Sequence, residues 1–295
     1  MEVIELDLPD KLKTKHLPFA RTLLLPIGDV HYSGGGENDP CAQHRLREWI
    51  EAGIEAGAYF IGMGDYIDVA SPSNRTRLGE ARLYDSVRAM IDDGAQRHVD
   101  GFLDLVRGTE GRWLGLLEGH HFHEFEDGTT SDILLAQALQ APFLGHSAML
   151  KLLFRKDNTH SMAVHSKVIW CHHGQGGGLL TSAPLNRLEH VVKAFDADLY
   201  LIGHSHKRVS APMDRVYVRW GCDPPRLDHR TVHVACTGGW LRSYLQGSKR
   251  AGRPQGTYVE QKMLPPTSLG GLKVWFTPIQ TRDHTDDRME ITIEQ

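Results

Sequence analysis

Long apolar runs, paired cysteines and an excess of basic residues are all missing from this 295-residue sequence. No segment has the roughly 18 consecutive apolar residues of a membrane helix, and no apolar core follows a basic N-terminus, so we expect an unprocessed chain without membrane spans. The four cysteines lack CxxC spacing, which argues against a disulfide framework or a zinc knuckle and favours a reducing, cytoplasmic compartment. A formal charge of −4 provides no global basic field for nucleic acid, although a local basic groove remains compatible with it.

Lysine is also scarce, whereas histidine is abundant. The chain has 18 histidines against 11 lysines. Histidine is the commonest metal ligand in proteins and titrates near neutral pH. The composition therefore directs attention to a metal or acid–base site, provided that the histidines are placed together.

The order of the hydrophobic segments predicts one compact α/β domain over residues 1–295. Apolar runs of strand length end in glycine or polar clusters, and several are followed by segments with helical spacing. One of these segments, "TTSDILLAQAL", has the residues of a capped helix. We place a motif-bearing core at 22–206 and a mainly β continuation at 207–295.

Two further helices are predicted in the first half of the chain. One follows Asn38 or Asp39, either of which would serve as its N-cap. The other covers residues 78–107 and is expected to break near Gly94 or Gly101, because glycine is unfavourable inside a helix.

Histidine and aspartate follow five separate strand-like runs. The candidates are Asp29 and His31, Asp65 and Asp68, His120 and His121, His172 and His173, and His204 and His206. In α/β sheets the carboxyl ends of the strands open into a shared crevice, so these side chains are expected to converge. Imidazoles and carboxylates without thiolates suit Mn, Fe, Zn, Co or Ni. Because about seven ligands exceed the needs of one tetrahedral ion, two metals that share a carboxylate are the simplest interpretation.

The same residues resemble the calcineurin-like metallophosphoesterases. That family carries Asp-x-His, Gly-Asp-x-x-Asp, Gly-Asn-His, His-Gly and Gly-His-x-His in this order. This chain has "GDVH" (28–31), "GDYID" (64–68), "GHH" (119–121), "HHG" (172–174) and "GHSH" (203–206). The resemblance covers residues 22–206 and implies a sandwich of two mixed β-sheets flanked by α-helices, with the late β segments completing the second sheet.

Carried over residue by residue, the resemblance implies two metal sites and two catalytic residues. Asp29, His31 and His206 would hold one metal, His173 and His204 the other, and Asp65 would bridge both. Asp65 and His121 would be the catalytic residues, with His121 assisting the leaving group.

The third motif departs from the family pattern at two positions. His120 replaces the usual asparagine ligand, and since imidazole binds the same metals, we expect His120 to be a ligand that alters the metal preference. Phe122 stands where an acidic residue usually follows the catalytic histidine. Either Glu124 or Asp68 would then have to orient His121, although Asp68 also suits a helix cap.

Other polar residues near the motifs have simpler interpretations beside the functional ones. His172 and His173 point to opposite faces of an extended segment, and the His-Gly pattern favours His173 as the ligand. His123 has no counterpart in the family pattern and is expected on the loop surface. Asn74, Arg75 and Arg77 are candidates for binding a phosphate through charge-assisted hydrogen bonds, and a solvated loop is the alternative.

The function expected from these residues is metal-dependent hydrolysis of phosphate esters. Two divalent cations, Mn²⁺ first and Zn²⁺, Fe, Ni²⁺ or Co²⁺ as alternatives, lower the pKa of a bound water towards about 7, so that hydroxide attacks phosphorus. The expected substrate is a phosphodiester, such as nucleic acid, a nucleotide or a lipid headgroup. A phosphomonoester, including a phosphoprotein, and a non-catalytic metal-binding scaffold are the alternatives.

Overall fold

Two β-sheets pack face to face, and helices cover their outer surfaces. The computed structural model describes residues 12–36, 39–156, 164–176, 178–220, 223–250, 252–281 and 287–295. Within these residues the architecture is a sandwich of two mixed sheets flanked by helices, which confirms the expected fold class. No helix of the described part of the chain is long and apolar enough to cross a membrane.

The secondary-structure elements follow one another in a mixed order. The strands are β1 (Leu12–Pro18), β2 (Thr22–Ile27), β3 (Tyr59–Gly62), β4 (Trp113–Leu117), β5 (Phe143–Gly145), β6 (Ser147–Arg155), β7 (Val164–His172), β8 (Leu199–Ile202), β9 (Arg208–Arg219), β10 (Arg226–Thr237), β11 (Lys249–Arg250), β12 (Arg253–Pro254), β13 (Lys273–Ile279) and β14 (Arg288–Glu294). The helices are α1 (Gln43–Glu55), α2 (Pro72–Glu80), α3 (Asp85–Leu105), α4 (Ser131–Ala138), α5 (Ala183–Ala194) and α6 (Tyr258–Gln261).

Both large sheets combine parallel and antiparallel neighbours. One has the order β14-β13-β2-β3-β4-β5, in which β2, β3, β4 and β5 are parallel. The other has the order β1-β6-β7-β8-β10-β9, in which β7, β8 and β10 are parallel. Because the parallel strands of a sheet all end at the same edge, the loops that follow them lie side by side.

Alternating residues of each strand enter different hydrophobic layers. In β2, Leu24 packs between the two sheets, while Leu23 and Leu25 face the layer that contains α1 and α3. In β8, Leu201 lies between the sheets and Tyr200 packs against α5. Successive side chains of a strand point to opposite faces, so these uniformly apolar runs are buried on both sides.

The first predicted helix exists, but neither proposed residue caps it. Ala42 is the N-cap residue and makes no side-chain capping hydrogen bond, and Asn38 lies outside the described residues. The carboxylate of Asp39 accepts hydrogen bonds from the N–H groups of Gly35 at 2.7 Å and Cys41 at 2.8 Å. Asp39 therefore ties the glycine-rich loop to the start of α1.

The predicted 78–107 helix is divided, but at a different place from the one expected. The chain turns at 81–84, between α2 and α3, and α3 runs without a break through Gly94 and Gly101. A Cβ at Gly101 would lie only 2.3 Å from the hydroxyl oxygen of Tyr32. Close packing, not a break, explains that glycine. "TTSDILLAQAL" contains the predicted capped helix, α4, with the Thr130 hydroxyl accepting from the N–H of Ile133.

The late strands are shared between the two sheets. β9 and β10 extend the sheet that contains β8, whereas β13 joins β2 in the other sheet and pairs with β14. The expectation that the late segments complete the second sheet is therefore confirmed for β9 and β10 and wrong for β13 and β14. The segment between β10 and β13 crosses from one sheet to the other at the strand ends that carry the histidines.

Candidate metal centre

The five histidine- and aspartate-bearing segments meet at one edge of the sandwich. They directly follow the ends of β2, β3, β4, β7 and β8. Their potential ligand atoms form three groups in which all atoms lie within 4.8 Å of one another: Asp29, His31 and His206; Asp65, His120, His173 and His204; and His31, Asp65 and His121. The structure thus brings together every residue that the sequence proposed as a metal ligand.

The first set of ligands consists of Asp29, His31 and His206. Nε2 of His206 lies 3.7 Å from Oδ1 of Asp29, and the His31 and His206 rings stack with centroids 5.0 Å apart. Asp29 and His31 are almost fully buried. Two imidazoles and a carboxylate therefore face one small volume.

The second set consists of Asp65, His120, His173 and His204. Nδ1 of His173 donates to the carbonyl oxygen of Met63 at 2.7 Å, which leaves Nε2, 3.3 Å from Oδ2 of Asp65, as the atom that a metal could bind. Nδ1 atoms of His120 and His204 lie 3.1 Å apart.

Asp65 lies between the two sets. Its Oδ2 is 3.3 Å from Nε2 of His173 in the second set and 3.8 Å from Nε2 of His31 in the first. The grouping is the one that the resemblance implies, with His120 in the place of the asparagine. Metal binding by these residues stays a prediction.

Left-handed backbone conformations recur at the candidate ligands. Asp29, His31, Asp65, His204 and His206 have φ between 49° and 64°. Such conformations are uncommon for residues with a Cβ and persist only where the surrounding structure enforces them. Here the N–H groups of Val30 and His31 both donate to the carbonyl of Asp65, at 2.8 and 3.0 Å. The first two motif loops therefore hold each other in place.

A glycine brings the third motif close to the second. A Cβ at Gly119 would lie 2.1 Å from the backbone nitrogen of Asp65. This approach lets the N–H groups of His120 and His121 donate to Oδ1 of Asp65, at 2.5 and 2.9 Å. The Gly119 N–H itself donates to Asp132, whose pKa is raised to about 7 by burial.

Unpaired polar atoms at the centre show that the donor set fits a cation. Oδ2 of Asp29, Nε2 of His31 and Nε2 of His173 are buried and have no hydrogen-bond partner in the described part of the chain. Burying such atoms unpaired costs about 1–3 kcal/mol each. Nitrogen and carboxylate oxygen donors suit Mn, Fe, Co, Ni or Zn. The clusters can therefore hold divalent metal ions.

The two aspartates of the centre have opposite pKa shifts. Burial raises the pKa of Asp29 to about 7, against the charge of His173. For Asp65, burial also raises the pKa, but the close approach and charge of His173 and the charges of other imidazoles outweigh it and hold the pKa well below the usual range. Without a metal, His173 is the cationic partner, because Asp65 raises its pKa to about 9 despite burial. Metal binding at its Nε2 would release that proton.

Two other histidines of the centre favour the neutral form that binds metals. Burial and the charge of His173 lower the pKa of His204 to about 4. Burial, followed by the charge of His31, lowers the pKa of His206 well below its usual value. A neutral imidazole offers a lone pair to a metal, so ligation at these positions needs no deprotonation near pH 7.

Asp68 is the carboxylate that contacts His121. Nδ1 of His121 lies 3.1 Å from Oδ1 of Asp68, and Nδ1 of His31 lies 3.5 Å from Oδ2 of the same residue. Burial raises the pKa of Asp68, but these two histidines outweigh it and lower the pKa. The other candidate, Glu124, lines a separate cavity of about 450 Å³.

Two neighbouring histidines have roles outside the ligand sets. His123 is not on the loop surface as expected, because its side chain is 13% exposed and its Nε2 lies 2.7 Å from Oδ1 of Asp92 on α3. Nδ1 of His172 accepts a hydrogen bond from the N–H of Gly174 at 2.7 Å. His173, and not His172, faces the other ligands.

The three residues proposed to bind phosphate lie on a helix, whereas the alternative interpretation was a solvated loop. α2 contains Asn74, Arg75 and Arg77, and none of them is among the described residues that line the cavity at His121. The guanidinium of Arg75 donates to the carbonyls of His120 at 2.7 Å and Phe122 at 2.8 Å, and stacks on the Phe122 ring. Arg75 therefore holds the backbone of the third motif in position. Phosphate binding by the three residues stays a prediction.

A large cavity adjoins the centre and involves residues that the sequence did not suggest. It has a volume of about 1160 Å³ and extends from His121 and His206 to a segment between β10 and β13. We call residues 241–250 and 252–267 the C-terminal wall. Its glycine- and proline-rich sequence has no recognisable motif, and the pair of lysines, Lys249 and Lys262, is its one sequence signal for binding.

Comparisons with known proteins include a distant structural likeness. No protein-family model matches the chain, and no curated protein matches it. Among solved structures, the chain is similar to a conserved uncharacterized protein from Streptococcus pneumoniae TIGR4, described as a predicted phosphoesterase. The identity is 11%, the match covers 93% of this chain and 99% of that one, and the TM-score is 0.31. At a TM-score this low, the interpretation of the site depends on its own geometry.

Proposed function

We propose that this protein hydrolyses phosphodiesters with the help of two divalent metal ions. The observation that carries the proposal is the pair of ligand sets joined by Asp65, which lies within 4 Å of an imidazole nitrogen in each set. Paired metal sites about 3.5–4 Å apart are typical of enzymes that clamp the entering and leaving oxygens of a phosphoryl displacement.

The metals and the protein would supply different parts of the chemistry. When bound, the ions supply positive charge for the phosphate oxygens and acidify water. The chain's own residues keep the ligands in position: Asp65 is fixed by two backbone N–H groups, and His173 by the carbonyl of Met63. The ligands therefore need little rearrangement when a cation binds.

His121 is the proposed acid for the leaving group. Its Nδ1 is occupied by Asp68, and its side chain lines the large cavity. A proton on Nδ1 is thus held by the carboxylate, so Nε2 is the atom that donates to the departing oxygen. Asp68 acts through His121 as a positioning residue.

Phosphodiesters are favoured over phosphomonoesters because of the space beside the centre. A cavity of about 1160 Å³ leaves room for substituents on both ester oxygens. A small phosphomonoester would occupy little of this volume.

Metal analysis combined with a two-substrate assay tests the proposal. Chelated protein reloaded with Mn²⁺ is expected to bind about two ions per chain and to hydrolyse bis(p-nitrophenyl) phosphate faster than the monoester. Asp65→Asn is expected to lower kcat/KM at least about 10³-fold, because several kcal/mol of charge stabilisation depend on the shared ligand.

Asp93→Asn, an exposed aspartate on α3, is the matched control and should retain activity. Absence of hydrolysis with every divalent metal, or equal activity in the two variants, would overturn the proposal. Faster turnover of the monoester would instead make the protein a phosphomonoesterase.

A further inference from the structure

The C-terminal wall is firmly attached to the candidate metal centre. The N–H of Trp240, directly before the wall, donates to the carbonyl of Asp29 at 2.9 Å. Within the wall, the Thr257 and Glu260 side chains form a capping box for α6, and the Tyr244 hydroxyl donates to the carbonyl of Leu264 at 3.0 Å. The wall therefore presents a defined surface at a fixed position beside the ligands.

Positive charge lines the cavity outside the metal centre, although the whole chain is acidic. Apart from the centre and Asp68, the charged residues that line the cavity in the described part of the chain are Lys207, Arg242, Lys249 and Lys262. The one acidic side chain at α6, Glu260, turns into the wall, where it accepts from the N–H of Thr257 at 3.1 Å. The lining therefore favours an anion.

Two of these cations remain available to a ligand. Lys207 donates to the carbonyls of Gly178 and Leu180, and Arg242 donates to the carbonyl of Asp39. Lys249 and Lys262 are exposed and line the cavity, and Nζ of Lys262 lies 6.0 Å from the centroid of the Tyr258 ring.

An aromatic ring and aliphatic side chains accompany the two lysines. Tyr258 lines the cavity and is 66% exposed, so its ring is accessible to a ligand. Leu245, Leu264 and Pro265 line the same region. Cations that follow a phosphate backbone, combined with an aromatic ring on which a base stacks, are the usual elements of single-strand nucleic-acid binding.

We propose that the C-terminal wall binds a nucleotide adjacent to the scissile phosphodiester, and hence that the substrate is a short single-stranded oligonucleotide. Lys249 and Lys262 bind the neighbouring phosphate, and Tyr258 stacks on a base. This inference rests on the proposed function only for the identity of the bond that is cleaved. A lipid phosphodiester would use the apolar side chains but not a pair of cations separate from the metal centre.

Binding without metal tests the wall independently of catalysis. Fluorescence anisotropy of fluorescein-labelled hexathymidylate with metal-free protein in EDTA gives the affinity. The double variant K249Q/K262Q is expected to bind about tenfold more weakly and with a smaller dependence on salt, because it releases fewer counterions. Tyr258→Ala is expected to weaken binding about fivefold or more.

Control variants show whether a change in affinity comes from the lost charge or from altered folding. Lys193→Gln, an exposed lysine on α5, should leave the affinity unchanged, and K249R/K262R should restore it. Equal affinities for wild type and K249Q/K262Q would overturn the proposal, as would tighter binding of an acidic phosphopeptide or of phosphatidylserine vesicles than of the oligonucleotide.

Hydrolysis then distinguishes this inference from the proposed function. With Mn²⁺, K249Q/K262Q is expected to raise KM for trithymidylate at least about fivefold more than KM for bis(p-nitrophenyl) phosphate. Equal changes for the two substrates would overturn the wall as a nucleotide site. Lysine-dependent binding of the oligonucleotide without any metal-dependent hydrolysis would overturn the proposed function and leave the binding site standing.

Discussion

The aspartates of the two sets of candidate ligands are almost equally buried, but their negative charges are compensated differently. Asp29 is 0% exposed and Asp65 is 2% exposed. Oδ1 of Asp29 accepts one backbone N–H, from His204 at 3.1 Å, and its Oδ2 has no hydrogen-bond partner among the described residues. Asp65 accepts two backbone N–H groups and lies beside the cationic His173.

This difference explains why burial raises the pKa of Asp29 to about 7, whereas the pKa of Asp65 stays well below its usual value. Burial penalises a carboxylate charge only where neighbouring groups do not compensate for it. Protein groups thus compensate the charge of the aspartate in the second set, whereas in the first set a bound metal ion would keep the aspartate ionised near neutral pH.

After that of Asp65→Asn, the largest expected effect on activity concerns His121, which lies between the two sets. Because His121 contacts Asp68 and lines the cavity, His121→Gln is expected to lower kcat about 10²-fold on an alkyl phosphodiester. The loss should be much smaller for bis(p-nitrophenyl) phosphate, since p-nitrophenolate departs without a proton. Asp68→Asn should show the same leaving-group dependence with a smaller loss, about tenfold.

Metal content of the His121→Gln protein is the control. If the variant binds fewer metal ions, or if its kcat falls by the same factor on both substrates, then His121 is a metal ligand and not the acid for the leaving group.

Thermal unfolding in EDTA tests the contrast between the two aspartates directly. Asp29 has a raised pKa, so its protonated form stabilises the metal-free fold below about pH 4, and this stability is lost as pH rises through about 7. Asp29→Asn avoids that loss, so its Tm should exceed that of wild type at pH 8, with a smaller gain at pH 5. Each kcal/mol gained in the free energy of unfolding should raise Tm by roughly 2–4 °C.

Asp65→Asn should change Tm in the opposite direction. Because its pKa is lowered, Asp65 contributes stability above about pH 4 and loses it only below that pH, so the variant should unfold at a lower temperature at both pH 5 and pH 8. Equal destabilisation by the two variants at pH 8 would remove the distinction between the sets.

The smallest effect is expected from His120→Asn, which restores the residue that the resemblance implies at this position. An amide oxygen is a harder ligand than imidazole, so the ratio of kcat/KM with Mn²⁺ to that with Zn²⁺ should rise, with total activity changing less than about tenfold. His123→Asn is the matched control, because His123 pairs with Asp92 outside both sets. An unchanged metal ratio in His120→Asn would show that this residue is no ligand of the second set.

The sequence predicted the parts of the fold that depend on local pattern. Buried strand runs such as "LLLPIG" and "LYLIG" are apolar throughout and end at glycine, and parallel strands place their ends at one edge, so the convergence of His and Asp could be inferred. Local pattern was a weaker guide where packing decides. Gly94 and Gly101 suggested a helix break, yet α3 continues through both, because Gly101 packs on Tyr32.

Contacts between side chains that are far apart in the sequence could not be predicted from the sequence either. Arg75 was a candidate for binding phosphate, but it donates to two carbonyls of the third motif, 45 and 47 residues away. His123 and Asp92 pair over 31 residues, and the choice of Asp68 over Glu124 beside His121 depends on where two loops lie in space.

The residue types that gather at the strand ends follow from the sequence, because hydrophobic periodicity and glycine positions define the strands and their termini. How the charges of those residues are compensated, and which groups lie beside them, depends on the three-dimensional packing of the loops. Asp29 and Asp65 follow similar strands, but one meets a single N–H group and the other meets two together with a cationic imidazole. Hydrogen bonds and desolvation act over a few ångströms in space, and distance along the chain does not predict them.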